Sequence, residues 1–176
     1  MRIMNDLIIS EGDVLVAATV FLVQRGLVPY QFSVAAGRGI NNSDTIKRLR
    51  EAFASIGRPS PSFTGNGADI LAVSELEWWA VECKGSGAGQ PQTQRNNFDR
   101  ALASAVSYYE EKPQGLPENL ANATVFLALA LPATKAYLKE LKRRVRKPLR
   151  KRLNLWVLLY QPDSKMLRAV SPEDDV

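Results

Sequence analysis

Apolar residues change their spacing several times along the chain, and each change marks an element. Ser10 followed by Asp13 forms a capping pattern ahead of the near-apolar run Val14 to Val23. The pattern predicts a helix from about Glu11 to Arg25, stopped at Gly26 and apolar nearly all round, hence largely buried. Val28 to Ala35 reads as a strand. A second helix starts at Asn41 to Ser43, with Ile46, Leu49, Phe53 and Ile56 as its apolar stripe and Gly57 as its stop. Pro59, Pro61 and Gly65 make residues 58–66 a loop. Ala68 to Val73 and Trp78 to Lys84 are apolar on both faces, as central strands covered by helices are. After a glycine-rich loop, Gln92 to Tyr109 reads as a helix with Phe98, Leu102, Ala105 and Tyr109 in register. Thr124 to Leu131 is a buried strand stopped by Pro132, and Ala133 to Arg146 is a basic helix broken near Pro148. Leu153 to Tyr160 and Met166 to Val170 are strands, the last at an edge. The order α-β-α-β-β-α-β-α-β-β predicts an α/β fold, a mixed β-sheet flanked by helices. We expect one domain over residues 1–171, with a helical insertion at 41–57 and a flexible acidic tail at 172–176.

Composition narrows the chemistry. The 176 residues contain no histidine and one cysteine, Cys83. Ser-His-Asp and Cys-His catalysis, histidine-bound zinc and a disulfide framework are therefore excluded. The longest near-apolar run is ten residues, against about 20 for a membrane helix, so no membrane partner is expected. One thiol and no evident export signal point to the cytoplasm. Charge is concentrated. Ten basic residues between Lys135 and Arg152 face Glu140 alone, a local +9 in a chain of net +5, leaving −4 for the remainder. Such a patch is either a solvated helix face or a seat for a polyanion.

The most informative stretch is Asp69 to Lys84. If Glu75 and Leu76 form a two-residue hairpin loop, Ser74 pairs with Glu77 and Asp69 falls opposite Glu82. Directly opposed side chains are about 5 Å apart at Cβ. Lys84 lies two residues beyond Glu82 on the same face. Two opposed carboxylates in an apolar setting repel and resist burial. Either Lys84 pairs with an acid, or a divalent cation sits between the carboxylates. An all-oxygen set of this kind suits Mg²⁺ or Mn²⁺.

An Asp on one strand followed by Glu-x-Lys on the next resembles the signature of the PD-(D/E)XK nuclease superfamily, the restriction-endonuclease-like and Holliday-junction-resolvase-like folds. Here it reads Ala68-Asp69, then Glu82-Cys83-Lys84. The resemblance spans roughly Glu11 to Leu131 and implies a restriction-endonuclease-like mixed sheet and a metal-dependent nuclease acting on DNA. It further implies that Asp69, Glu82 and the backbone carbonyl of Cys83 ligate Mg²⁺ (or Mn²⁺), and that Lys84 positions the attacking water. The family often adds an acid from the first helix; Glu11 is the candidate and Asp13 its rival. It also uses a polar residue at the start of the helix after the lysine strand. Gln94 fits, with Gln90 and Gln92 as alternatives. Ala68 stands where the family motif has proline, and the helix before Asp69 is atypical. That helix carries Lys47, Arg48 and Arg50, which suits either a DNA contact or a dimerisation arm.

Other residues carry less. Trp78 and Trp79 face opposite sides of the sheet and read as core, with base stacking as the alternative. Gly37-Arg38-Gly39 and Gly85 to Gly89 match no phosphate-loop fingerprint; the second either connects flexibly or lets a phosphate backbone approach. Two functions follow. One is a structure-selective or partner-directed deoxyribonuclease, with Lys47, Arg48, Lys142, Arg143, Arg144, Arg146, Lys147, Arg150, Lys151 and Arg152 gripping phosphates and a homodimer as a plausible assembly. The other is a non-catalytic nucleic-acid-binding or assembly protein on the same fold. A weaker reading docks the basic segment on an acidic protein or ribosomal RNA.

Overall fold

The computed structural model describes residues 8–33, 42–64, 67–87, 91–109 and 118–176. The predicted strand end at 34–35, the helix start at Asn41, Gly37 to Gly39, Gly89 and Gln90 lie outside them.

The α/β expectation holds. Seven strands form one mixed sheet in the order β2-β1-β3-β4-β5-β6-β7. In chain order they are β1 (Val28–Ser33), β2 (Ser62–Thr64), β3 (Ile70–Val73), β4 (Glu77–Cys83), β5 (Thr124–Pro132), β6 (Leu155–Gln161) and β7 (Met166–Val170). The helices are α1 (Glu11–Gln24), α2 (Asn42–Ser55), α3 (Pro91–Ser107), α4 (Lys135–Arg144) and α5 (Lys147–Leu153). The central strands β4, β5 and β6 run parallel, joined by helical crossovers, while β3–β4 and β6–β7 are antiparallel hairpins.

The sheet is covered on both faces, which explains why its central strands read as continuous apolar runs. On one face Val14, Leu15, Ala18 and Leu22 of α1 and Leu49 and Phe53 of α2 pack against Trp79, Val81 and Ala128. On the other, Phe98, Ala101 and Ala105 of α3 and Tyr137 and Leu141 of α4 pack against Ala80, Leu127, Leu129 and Leu131. Each fully buried leucine of this kind contributes about 1.5–3 kcal/mol. Trp79 is enclosed by Phe126 and Trp156, with ring centroids at 5.1 and 5.3 Å, which settles it as core.

Three expectations need correction. Ser62 to Thr64 are a strand, not loop: they pair in parallel with β1, and Phe63 packs at 5.9 Å on Phe32. Flanking prolines hide so short an edge strand. Pro148 does not merely break a helix. It sits in the first turn of a separate α5, where a missing N–H costs nothing. The acidic residues after Ser171 are not a loose tail. The Arg150 guanidinium donates to the carbonyls of Ser171 and Asp174, and Lys151 pairs with Glu173 at 2.9 Å. Helix α1 is largely buried as expected, with Val20 exposed on its outer side. Among the described residues no helix is long and apolar enough to cross a membrane.

Candidate active site

The β3–β4 register runs Ile70↔Val81 to Val73↔Trp78, and the Ser74 N–H donates to the Glu77 carbonyl at 2.8 Å. One step beyond the first pair, Asp69 faces Glu82 across the open end of the hairpin. Strand alternation puts Glu82 and Lys84 on the α3 side, with Cys83 buried on the α1 side.

Glu11 arrives by a different route. Past Lys84 the chain docks against the start of α1. The Ile9 N–H donates to the Ser86 hydroxyl and the Ser86 N–H donates to the Ile9 carbonyl, both at 2.9 Å. A Cβ on Gly85 would lie 2.5 Å from the Ile9 carbonyl oxygen and 2.6 Å from the Glu11 nitrogen. Only glycine allows that approach, and the approach brings the first residue of α1 to the sheet end. The close contact at Gly85 is with the start of α1.

The result is one ammonium among three carboxyl groups. Lys84 Nζ lies 3.1 Å from Glu82 Oε1, 3.6 Å from Glu11 Oε2 and 3.9 Å from Asp69 Oδ2, and donates to the Cys83 carbonyl at 2.8 Å. Asp69 also accepts from the Cys83 N–H at 2.6 Å. Burial, with Glu82 beside it, pushes the Asp69 carboxyl up to about 7. Burial likewise raises the Glu82 pKa, against the pull of Lys84. Burial works against the Lys84 ammonium, but Asp69, Glu11 and Glu82 outweigh it and hold its pKa above the ordinary lysine value. Lys84 is thus a fixed cation and a hydrogen-bond donor, unsuited to act as a base.

The structure sorts the predicted residues. Asp69, Glu82, Lys84, Glu11 and the Cys83 carbonyl come together. Asp13 is held elsewhere, capping α1 with Ser10 and pairing with Arg48 at 3.0 Å. Gln94, in the first turn of α3, accepts at 3.4 Å from the Thr134 hydroxyl, which ties it to the start of α4. The basic residues divide as well. Arg150 is only 1% exposed and serves the fold, so it is withdrawn from the phosphate-gripping set. Arg48 is tied to Asp13 and Asp44, and Lys47 faces Glu51 at 3.9 Å. Lys142, Arg143, Arg146 and Arg152 are exposed, Lys151 is exposed but paired, and Arg144 and Lys147 are half-buried.

Two residues escaped the sequence reading. Ser104 of α3 and Tyr108, the residue after that helix, lie beside the Glu82 carboxyl group, and burial with Glu82 nearby pushes the Tyr108 phenol up to about 12. Their i, i+4 spacing on the face carrying Ala101 and Ala105 was the available signal. Tyr137 adds support from α4, donating to the Gly85 carbonyl at 2.8 Å.

The donors are hard oxygens throughout, which fits a divalent cation of the Mg²⁺ type. They are arranged around Lys84 Nζ, and among the described residues no three acids converge on one cation position. The donors fit such a cation in chemistry, and a cation bound there would compete with the Lys84 ammonium for the same oxygens. No family model, curated protein or solved structure matches the chain.

Proposed function

We propose that this protein is a Mg²⁺- or Mn²⁺-dependent deoxyribonuclease built on a PD-(D/E)XK-like core. The observation supporting it is the hairpin register that sets Asp69 against Glu82 with Lys84 and Glu11 beside them. Asp69, Glu82 and the Cys83 carbonyl would hold the cation, which supplies Lewis-acid stabilisation of charge on the phosphate. Lys84, charged at any physiological pH, orients a water and offsets negative charge that develops in hydrolysis. Glu11, with Ser104 and Tyr108 beside Glu82, helps to orient these groups. Exposed arginines and lysines of α4 and α5 supply salt-sensitive attraction for DNA.

A second reading also has an observation in its favour. Lys84 already reaches all three carboxyl groups and a carbonyl, as it would in a purely structural ion cluster of a nucleic-acid-binding or assembly protein.

Cleavage separates the two. Labelled duplex, single-stranded and branched DNA are incubated with Mg²⁺ or Mn²⁺, and with chelator. We expect metal-dependent cleavage that falls at least about 100-fold in Asp69→Asn and in Lys84→Ala, while circular dichroism shows both variants folded. Cleavage absent from the native protein, or unchanged in folded Asp69→Asn, rejects the nuclease reading.

A further inference from the structure

A second ion cluster lies between α3 and α4. Glu140 is on the inward side of α4, its side chain only 4% exposed. Arg95 of α3 approaches it to 3.8 Å, Arg143 to 2.9 Å and Arg144 to 3.7 Å. Arg144 also pairs with Asp99 and lies over the Phe98 ring at 5.4 Å. The anion is buried, whereas the Arg95 and Arg143 side chains are half exposed or more. One guanidinium would satisfy a buried carboxylate. Three leave an excess of cation facing outward, beside exposed Lys139 and Lys142.

A buried carboxylate that anchors outward-facing arginines limits their rotamer freedom before any ligand arrives, which lowers the cost of binding. Guanidinium forks match phosphate oxygens better than ammonium groups do. The same helix pair is tied to the candidate active site. Thr134 contacts Gln94, and Tyr137, one turn before Glu140, holds the loop behind Lys84 through the Gly85 carbonyl.

We propose that Glu140 is a positioning residue that presents Arg95, Arg143 and Arg144 as a fixed platform for the backbone phosphates of a nucleic-acid strand. The choice of nucleic acid rests on the proposed function; the platform itself is measured without cleavage. The probe is a fluorescent DNA oligonucleotide, in chelator, with anisotropy read across a KCl series.

Glu140→Gln raises the net charge by one. A diffuse positive patch then binds DNA more tightly, whereas a positioned platform binds about three- to tenfold more weakly. Arg95→Ala lowers the salt slope by about one. Arg95→Lys keeps that slope yet loses affinity, because charge remains and the fork does not. Should Glu140→Gln unfold, the two Arg95 variants, at an exposed side chain, decide the matter. Equal or tighter binding by folded Glu140→Gln, or an unchanged slope in Arg95→Ala, overturns the platform. Polyglutamate of matched charge competing as well as the oligonucleotide overturns the nucleic-acid assignment in favour of an acidic protein. If native protein never cleaves DNA but these binding effects hold, the platform stands and the nuclease reading fails. If it cleaves and Glu140→Gln binds normally, only the platform fails.

Discussion

Lys84 and Glu140 are centres of opposite design. Lys84 is a cation enclosed by three acids; Glu140 is an anion enclosed by three arginines. Each has more partners than neutralisation needs, so each leaves an excess, negative at the first and positive at the second. Their construction differs in a way that matters. The Lys84 cluster is brought together by a hairpin register, a docked loop and a helix start, so the backbone sets which groups meet. The Glu140 cluster draws long arginines from two helix surfaces onto one buried carboxylate, so a side chain rather than the backbone sets their positions. Placement by the backbone suits chemistry at one bond, and cations anchored at an exposed surface suit a charged strand.

The largest way to break this comparison acts on one centre alone. Gly85→Ala introduces a Cβ against the backbone of Ile9 and Glu11, which cannot yield as a flexible side chain would. Overpacking of this kind costs about 3 kcal/mol. Urea unfolding should show that loss, and Glu11 should no longer reach Lys84, while oligonucleotide binding through α3 and α4 persists. Unaltered stability would mean that the loop does not hold α1 in place.

A smaller effect of opposite sign comes from Asp69. Its carboxyl titrates at about 7 in the fold, against about 3.9 in an unfolded chain. Between those values the folded protein keeps a proton that the unfolded chain has released. Without divalent cation, stability therefore falls as pH rises from about 4 to about 7 and levels off above. Asp69→Asn removes that slope but keeps an oxygen to accept from the Cys83 N–H. We expect the variant to be more stable than the native protein at pH 8. Denaturant melts at pH 4, 6 and 8 decide it; a variant less stable at pH 8 would make Asp69 a structural ion-pair member.

These results bear on what the chain made legible. A two-residue loop at Glu75 and Leu76 is enough to pair Asp69 with Glu82, and period-2 alternation brings Lys84 along. Local rules fix those positions. Glu11 was readable as a candidate, but its arrival depends on Gly85 fitting against α1, a packing event between distant segments. Glu140 read only as the lone acid in a basic run, because α4 has an inward side only once α3 lies beside it. Arg150 read as surface for a related reason. Its burial needs a helix that begins at Pro148 and a C-terminal segment that offers carbonyls to its guanidinium. Charge density along a chain says how much charge there is; the partner elements decide which charges face solvent.

The gentlest sharpening is to titrate the protein with Mg²⁺, which can distinguish the two centres. A ligand that binds only the folded state stabilises by about 1 kcal/mol at roughly five times its Kd, a rise of about 2–4 °C in Tm for a chain of this size. Mg²⁺ should produce that rise in native protein and in Arg95→Ala, since the arginine platform offers no oxygen donors to a cation. It should produce none in Asp69→Asn, which lacks one of the carboxylates. An equal rise in Asp69→Asn would place the cation elsewhere. The cluster at the hairpin end would then be an ion-pair core whose lysine already supplies the positive charge its acids require.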